Sequence, residues 1–302
     1  MSERYLWDGT GEPDAEIAHL EELLRPLGLP AAAVPARKKA WMPLAAAAAV
    51  LVALAGWQVR VAAPPETRWE TAQGFVHAGQ VLRAGAEEVQ LDAAEVGRVS
   101  LQPGAEAAVL ESKPGQERLG LRVGTMRALI WAPAREFVVE TPAATAVDLG
   151  CQYTLTVDRT GDGLLEVETG WVSFEHQGRE SFIPAGARCR TRRVGGPGTP
   201  YFADAPAALE RALNEFDERG GGLEQALSSA RGRDALSLWH LLPRTAGERR
   251  AAVYRRLAQL VALPKEATEE RILASDARAL EQCWNALGLD SAAWWRSWQR
   301  PW

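Results

Sequence analysis

Three side chains in this 302-residue chain have the clearest capacity for covalent chemistry: Cys151, Cys189 and Cys283. Two of them lie in stretches that alternate apolar and polar residues, so strand parity fixes which way they point. In "CQYTLTVD" Cys151 shares a side with Tyr153, Leu155 and Val157; in "ARCRTRR" Cys189 opposes Arg188, Arg190 and Arg192. Both thiols are therefore expected to face a core. Two inward thiols in one β domain can form a disulfide, closing a loop of about 38 residues for which loop entropy gives around 3–4 kcal/mol. They can equally stay as two inert buried thiols, if their α-carbons stand too far apart. Cys283 is then left over as a small buried residue.

The other candidates are weaker. "DRTGDG", from Asp158 to Gly163, begins like a calcium loop, but its twelfth position is Thr169 and not a bidentate glutamate, which makes it a hairpin turn. His240 in "LSLWHLL" reads as a core-edge residue and not as a ligand. The three cysteines and four histidines show no zinc-ligand spacing. No Ser/His/Asp set, phosphate-cradling glycine loop or pair of catalytic carboxylates emerges. The expectation is a protein with no catalytic residues, cofactor or metal. A net charge of -5 also argues against direct nucleic-acid binding, which needs basic surface to displace phosphate counterions.

Several kinds of element must position these groups. Residues 1–39 contain one amphipathic helix, "GEPDAEIAHLEELLRPLG", whose Ile17, Leu20, Leu23, Leu24 and Leu27 line a face that needs a partner. Residues 40–59 are uncharged and, at 1.5 Å per residue, about long enough to cross a hydrocarbon core. Trp41 and Trp57 flank them, and Arg37, Lys38 and Lys39 place the N-terminus in the cytoplasm. A single transmembrane helix of a bacterial inner membrane is expected here, in contact with lipid, with the C-terminal bulk periplasmic. A cleaved export signal and a buried core helix are the alternatives. After a linker at 60–72, residues 73–194 alternate with period two between turn signals such as "QPGAE", "KPGQE" and "HQGRE", which predicts an all-β domain, sandwich or solenoid-like. A Gly/Pro linker at 195–203 leads into an all-α C-terminal domain, 204–302, so that α and β are segregated along the chain. Within it, Thr245 with Glu248 predicts a capping box, and Asp276 predicts an N-cap ahead of Leu280 and Trp284. The tail "AAWWRSWQRPW" puts Trp295, Trp298 and Trp302 on one helical face, either packed onto the helices or offered to a partner.

Between Leu121 and Thr191 the sequence carries a "G-x-hydrophobic" strand ahead of "FVVETPAATA", then "LGCQYTL", "VETGWV" and "IPAG", in that order. In this it resembles the β domain of the ferric-citrate regulator (FecR) family, and "GRVSLQPGAEAAVLES" extends the match over roughly residues 73–193. The resemblance implies a membrane-anchored regulator of the anti-sigma type. Its cytoplasmic segment would hold a sigma factor, and its exported domain would receive a signal from an envelope protein. An envelope scaffold without a sigma partner is the alternative. Two departures stand out: the segment before residue 40 is short for the family's sigma-binding bundle, and the C-terminal region is all helical. Some members cut themselves at Gly-Thr, which the resemblance would carry to Gly150 and Cys151, with the thiol as nucleophile.

Overall fold

Side chains that alternate with period two can bury one face only by pairing into sheets, and the stretch from Trp69 to Phe202 does so in sixteen strands. The structure, a computed structural model, describes residues 18–19 and 69–289. In chain order the strands are β1 (Trp69–Thr71), β2 (Gly74–Val76), β3 (Val81–Arg83), β4 (Val89–Ala93), β5 (Gly97–Leu101), β6 (Glu106–Lys113), β7 (Gln116–Ile130), β8 (Phe137–Glu140), β9 (Thr145–Asp148), β10 (Gln152–Val157), β11 (Gly163–Thr169), β12 (Trp171–His176), β13 (Arg179–Pro184), β14 (Ala187–Arg192), β15 (Gly196–Pro197) and β16 (Tyr201–Phe202).

One layer runs β2-β1-β4-β5-β7-β10-β11-β14, with β15 and β16 both on β14. The other runs β3-β6-β7-β8-β9-β12-β13. Strand β7 belongs to both, pairing β6 and β8 with its first half and β5 and β10 with its second. It changes layer at Gly124, where φ is +98° and a Cβ would stand 2.4 Å from the Ala105 Cα, so only glycine fits. The inner faces pack on each other. The Trp69 and Phe137 ring centroids are 5.9 Å apart across the layers, and the Trp69 indole donates to Glu117 Oε2 at 2.9 Å. Leu101, Met126 and Leu155 from the first layer, with Val109, Phe137 and Phe174 from the second, are fully buried between them.

Helices follow: α1 (Ala207–Arg219), α2 (Leu223–Ser229), a 3-10 turn (Gly232–Asp234), α3 (Ala235–Arg244), α4 (Gly247–Leu260), α5 (Glu269–Leu273) and α6 (Ala277–Ala286). From Ala235 to Leu242 every residue of α3 is buried, as an apolar helix without a polar face must be. It covers the open edge of β13. The Phe182 N–H donates to His240 Nε2 at 3.0 Å, and Arg244 donates to the Glu180 carbonyl and the Ser181 hydroxyl at 3.1 and 2.7 Å. Edge groups left bare would invite pairing with another chain. An aromatic cluster of Trp171, Phe182, Trp239 and Trp284 joins sheet to helices, with Trp239 and Trp284 centroids 4.6 Å apart. Sheet and helices share one continuous core within one compact unit.

This corrects the expected fold class. The described residues are mostly β sheet followed by C-terminal helices, and none of these helices is long and apolar enough to cross a membrane. The longest, α4, has 14 residues and carries Arg249, Arg250, Arg255 and Arg256, whereas a span needs about 20 apolar residues. The stretch assigned as a transmembrane helix, 40–59, lies outside the described residues.

Candidate functional site

The chain passes between the two layers three times at one corner: from β9 to β10, from β11 to β12 and from β13 to β14. Each crossing needs a turn, and the turns stack. Gly170 closes the second, with φ +71°, directly against the first: a Cβ there would lie 2.0 Å from the Gly150 carbonyl oxygen and 3.0 Å from the Cys151 Cα. The third is tied on by backbone bonds, Ala185 N–H to the Gly170 carbonyl at 2.9 Å and Gly186 N–H to the Val167 carbonyl at 2.8 Å. Leu149 N–H donates to the Trp171 carbonyl at 3.2 Å, and Ile130 N–H to the Cys151 carbonyl at 2.9 Å. "LGC", "ETGW" and "IPAG", three of the stretches that carry the family resemblance, thus meet at a single point.

A carboxylate sits inside this corner. Asp148, 2% exposed at the end of β9, accepts the Gly150 N–H on Oδ1 at 2.7 Å and the Cys151 thiol on Oδ2. Burial outweighs both hydrogen bonds and pushes its pKa up to about 7. The Cys151 thiol is driven well above its ordinary value, first by burial and then by the Asp148 charge beside it. Two residues on, Tyr153 is raised for the same reasons, and its fully buried hydroxyl has no hydrogen-bond partner among the described residues. The arrangement is a thiol, a carboxylate and a phenol in a dry corner at the Gly150–Cys151 peptide. It can share protons; it does not make a thiolate, because each group's surroundings disfavour its charged form.

Asp148 was not legible as a site residue. Its one signal is a lone carboxylate in the apolar run "TAVDLGC", followed two residues later by a turn glycine.

Of the two states open to Cys151 and Cys189, a disulfide or two buried thiols, the structure has the thiols. All three cysteines are free and buried. Parity turns Cys151 and Cys189 inward, but β11 lies between their strands, with Leu165 facing Leu155 on one side and Cys189 on the other. Two strand spacings across and four residues along separate their α-carbons by about 16 Å, against a limit near 7 Å for a bridge. Cys189 instead donates to the Gly198 carbonyl at 3.3 Å, with burial pushing its pKa up to about 12. Asp158 accepts the N–H groups of Thr160, Gly161 and Asp162, which makes "DRTGDG" a turn closed by its own carboxylate. Among the described residues no group of three or more His, Cys, Asp or Glu side chains could hold a metal ion. Ile17, Leu20, Leu23, Leu24, Leu27, Trp295, Trp298 and Trp302, assigned to partner binding, lie outside the described residues.

No protein-family model matches the chain, and no curated protein matches it. Two crystal structures of a candidate anti-sigma factor from Parabacteroides distasonis ATCC 8503 are similar to it at 15% identity and a TM-score of 0.36 each. The match covers 45% of this chain and 65% and 64% of those chains, less than two thirds of their length.

Proposed function

We propose that this chain is a regulatory protein of the anti-sigma type, working by holding protein partners and not by turnover. What supports the reading is the convergence of the resemblance-bearing stretches "LGC", "ETGW" and "IPAG" on one corner of the sandwich, around Gly150 and Gly170. Stretches scattered over some forty residues of sequence make sense as a set when one tertiary feature needs them all. In this reading the apolar face of Ile17, Leu20, Leu23, Leu24 and Leu27 takes a sigma factor, since an amphipathic helix gains most by laying such a face into a partner's groove.

The test is co-purification of the full chain with sigma factors from its own source. A sigma factor should be retained by the wild type and lost, at least tenfold, when Leu20, Leu23 and Leu24 are changed to Asp. Retention unchanged by these substitutions refutes that face as the contact. Absence of any sigma factor from the wild-type complex favours the scaffold reading.

A further inference from the structure

We infer that His240 is an acid-released latch: as a neutral imidazole it holds α3 on the edge of β13, and a single proton on its ring lets that edge go. The two ring nitrogens have opposite partners. Nδ1 lies 2.8 Å from the Leu236 carbonyl, which can only accept, so Nδ1 carries the hydrogen. Nε2 receives the Phe182 N–H at 3.0 Å, which can only donate, so Nε2 keeps its lone pair. Together these bonds specify one tautomer of the neutral ring. A second proton could enter only at Nε2, where the Phe182 hydrogen already points. It would set two donors against each other at a side chain 1% exposed, with bulk water shut out. Alternation along β13 turns the main-chain groups of Glu180, Phe182 and Pro184 toward α3, and Pro184 has no N–H, so the Phe182 bond sits at the middle of the contact.

The ring is walled by Phe182 of β13, Trp239 of α3 and Trp284 of α6, with centroids 6.2, 5.0 and 6.1 Å away. The charged and titratable groups on the surrounding elements have other engagements. Arg244, one turn along α3, shares Asp217 of α1 with Arg179 of β13, at 3.7 and 2.9 Å, and two cations on one carboxylate make this edge a poor place for a third. Glu180 of β13 accepts the Ser173 hydroxyl of β12 at 2.9 Å, His176 of β12 packs on Gly196, and Tyr254 of α4 donates to the Ala267 carbonyl at 2.7 Å. Burial pushes the Cys283 thiol of α6 up to about 11, so it stays uncharged. The closed contact thus binds one proton fewer than the released one, in which an ordinary imidazole titrates near pH 6.5. The latch is at full strength above that pH and weakens by up to about tenfold for each unit below it. Release frees the Phe182 N–H and the Glu180 carbonyl, the kind of groups through which a bare edge pairs with another strand.

The test is native-state amide hydrogen exchange of the full chain, read at single residues and corrected for the intrinsic pH dependence of exchange. The Ile183 amide, turned to β12 by the same alternation, is the internal reference. From about pH 8 to about pH 5 the protection of Phe182 relative to Ile183 should fall at least tenfold in the wild type. In His240→Gln, which keeps an acceptor near the Nε2 position and does not titrate, the ratio should stay constant. In Asp148→Asn the fall should persist, because Asp148, with its pKa pushed up to about 7, gains its proton on folding and acts in the opposite sense. A second measurement needs only the wild type: at pH 8 the nitrogen spectrum of the His240 ring should show a bare Nε2 and a protonated Nδ1. The inference is overturned if the wild-type ratio stays constant, if His240→Gln shows the same fall, if Asp148→Asn abolishes it, or if the ring carries its hydrogen on Nε2.

Discussion

Asp148 carries the clearest consequence at the scale of single residues, because the fold holds a carboxylate where its charge is poorly solvated. Its folded pKa of about 7 lies above the unfolded value near 3.9, so the native chain binds this proton more tightly. The stability it contributes is therefore complete below about pH 4 and is lost as pH rises through 7, by on the order of 3–4 kcal/mol. Asp148→Asn keeps an acceptor for the Gly150 N–H and removes the charge. The difference in unfolding free energy between variant and wild type, followed by urea titration from pH 4 to 8, should grow in the variant's favour with pH. A difference that stays flat would show that Asp148 titrates normally. The thiols follow the same logic. With the Cys151 thiol held protonated and Cys151 and Cys189 strands apart, all three cysteines should resist a thiol reagent until the chain is unfolded. Mobility on gels should be the same with and without reductant, and intact mass should show one species of 32.8 kDa. A fragment pair split after Gly150 would make Asp148 a working base and refute the inert reading. Parity sufficed to turn both cysteines inward; the partner of Cys151 was hidden because a hydrogen bond across a three-residue turn leaves no periodic trace.

The turns and caps divide into those set locally and those set by packing. Gly150 and Gly170 both have positive φ, yet their surroundings differ: nothing lies within 4 Å of a Cβ added at Gly150, whereas one at Gly170 meets the Gly150 carbonyl at 2.0 Å. Gly150→Ala should accordingly cost only the left-handed backbone strain, about 1–2 kcal/mol. Gly170→Ala must also push the stacked turns away from each other and should cost more than about 3 kcal/mol. Thermal or urea unfolding of the two variants checks the order, and equal losses would mean that the corner gives way easily. Asp276 caps α6 as its spacing predicts, accepting the N–H groups of Arg278 and Ala279. Thr245 does not start α4. Its hydroxyl turns back to the Leu241 carbonyl at 2.8 Å and finishes α3, because the same residue type suits either end and only packing decides. His240 was legible as a core residue but not as the acceptor that closes the β13 edge, a role set by a strand 58 positions away.

In the whole molecule the described strands all precede the described C-terminal helices, and the Gly/Pro stretch 195–203, expected as a linker, contributes β15 and β16 to the sheet through β14; the sharing of one core by strands and helices was not legible. Period-two alternation says that a strand has an inner face without saying which layer it joins, so the passage of β7 through both layers at Gly124 depends on contacts distant in sequence. The same holds for α3, whose apolar run could equally have been the centre of a separate bundle. Its docking on β13 makes the helices a cover for the sheet, with Arg244 as the polar bolt. The guanidinium is buried, which lowers its pKa to about 10, and it reaches Thr199 at 2.8 Å and Asp217 at 3.7 Å besides the β13 edge. Removing one partner of a buried pair costs about 3–5 kcal/mol when the other charge is abandoned. Here Asp217 keeps Arg179 at 2.9 Å and the Thr199 N–H at 2.6 Å, so Arg244→Met should cost less, about 2–3 kcal/mol. If sheet and helices are one folding unit, that loss must move the whole transition. Far-ultraviolet circular dichroism, which reports strands and helices, and tryptophan fluorescence, to which Trp171, Trp239 and Trp284 of the cluster contribute among the chain's twelve tryptophans, should shift together in urea and remain superimposable. Separation of the two curves, with the helical signal lost first, would show instead that the helices dock on a sheet that stands without them.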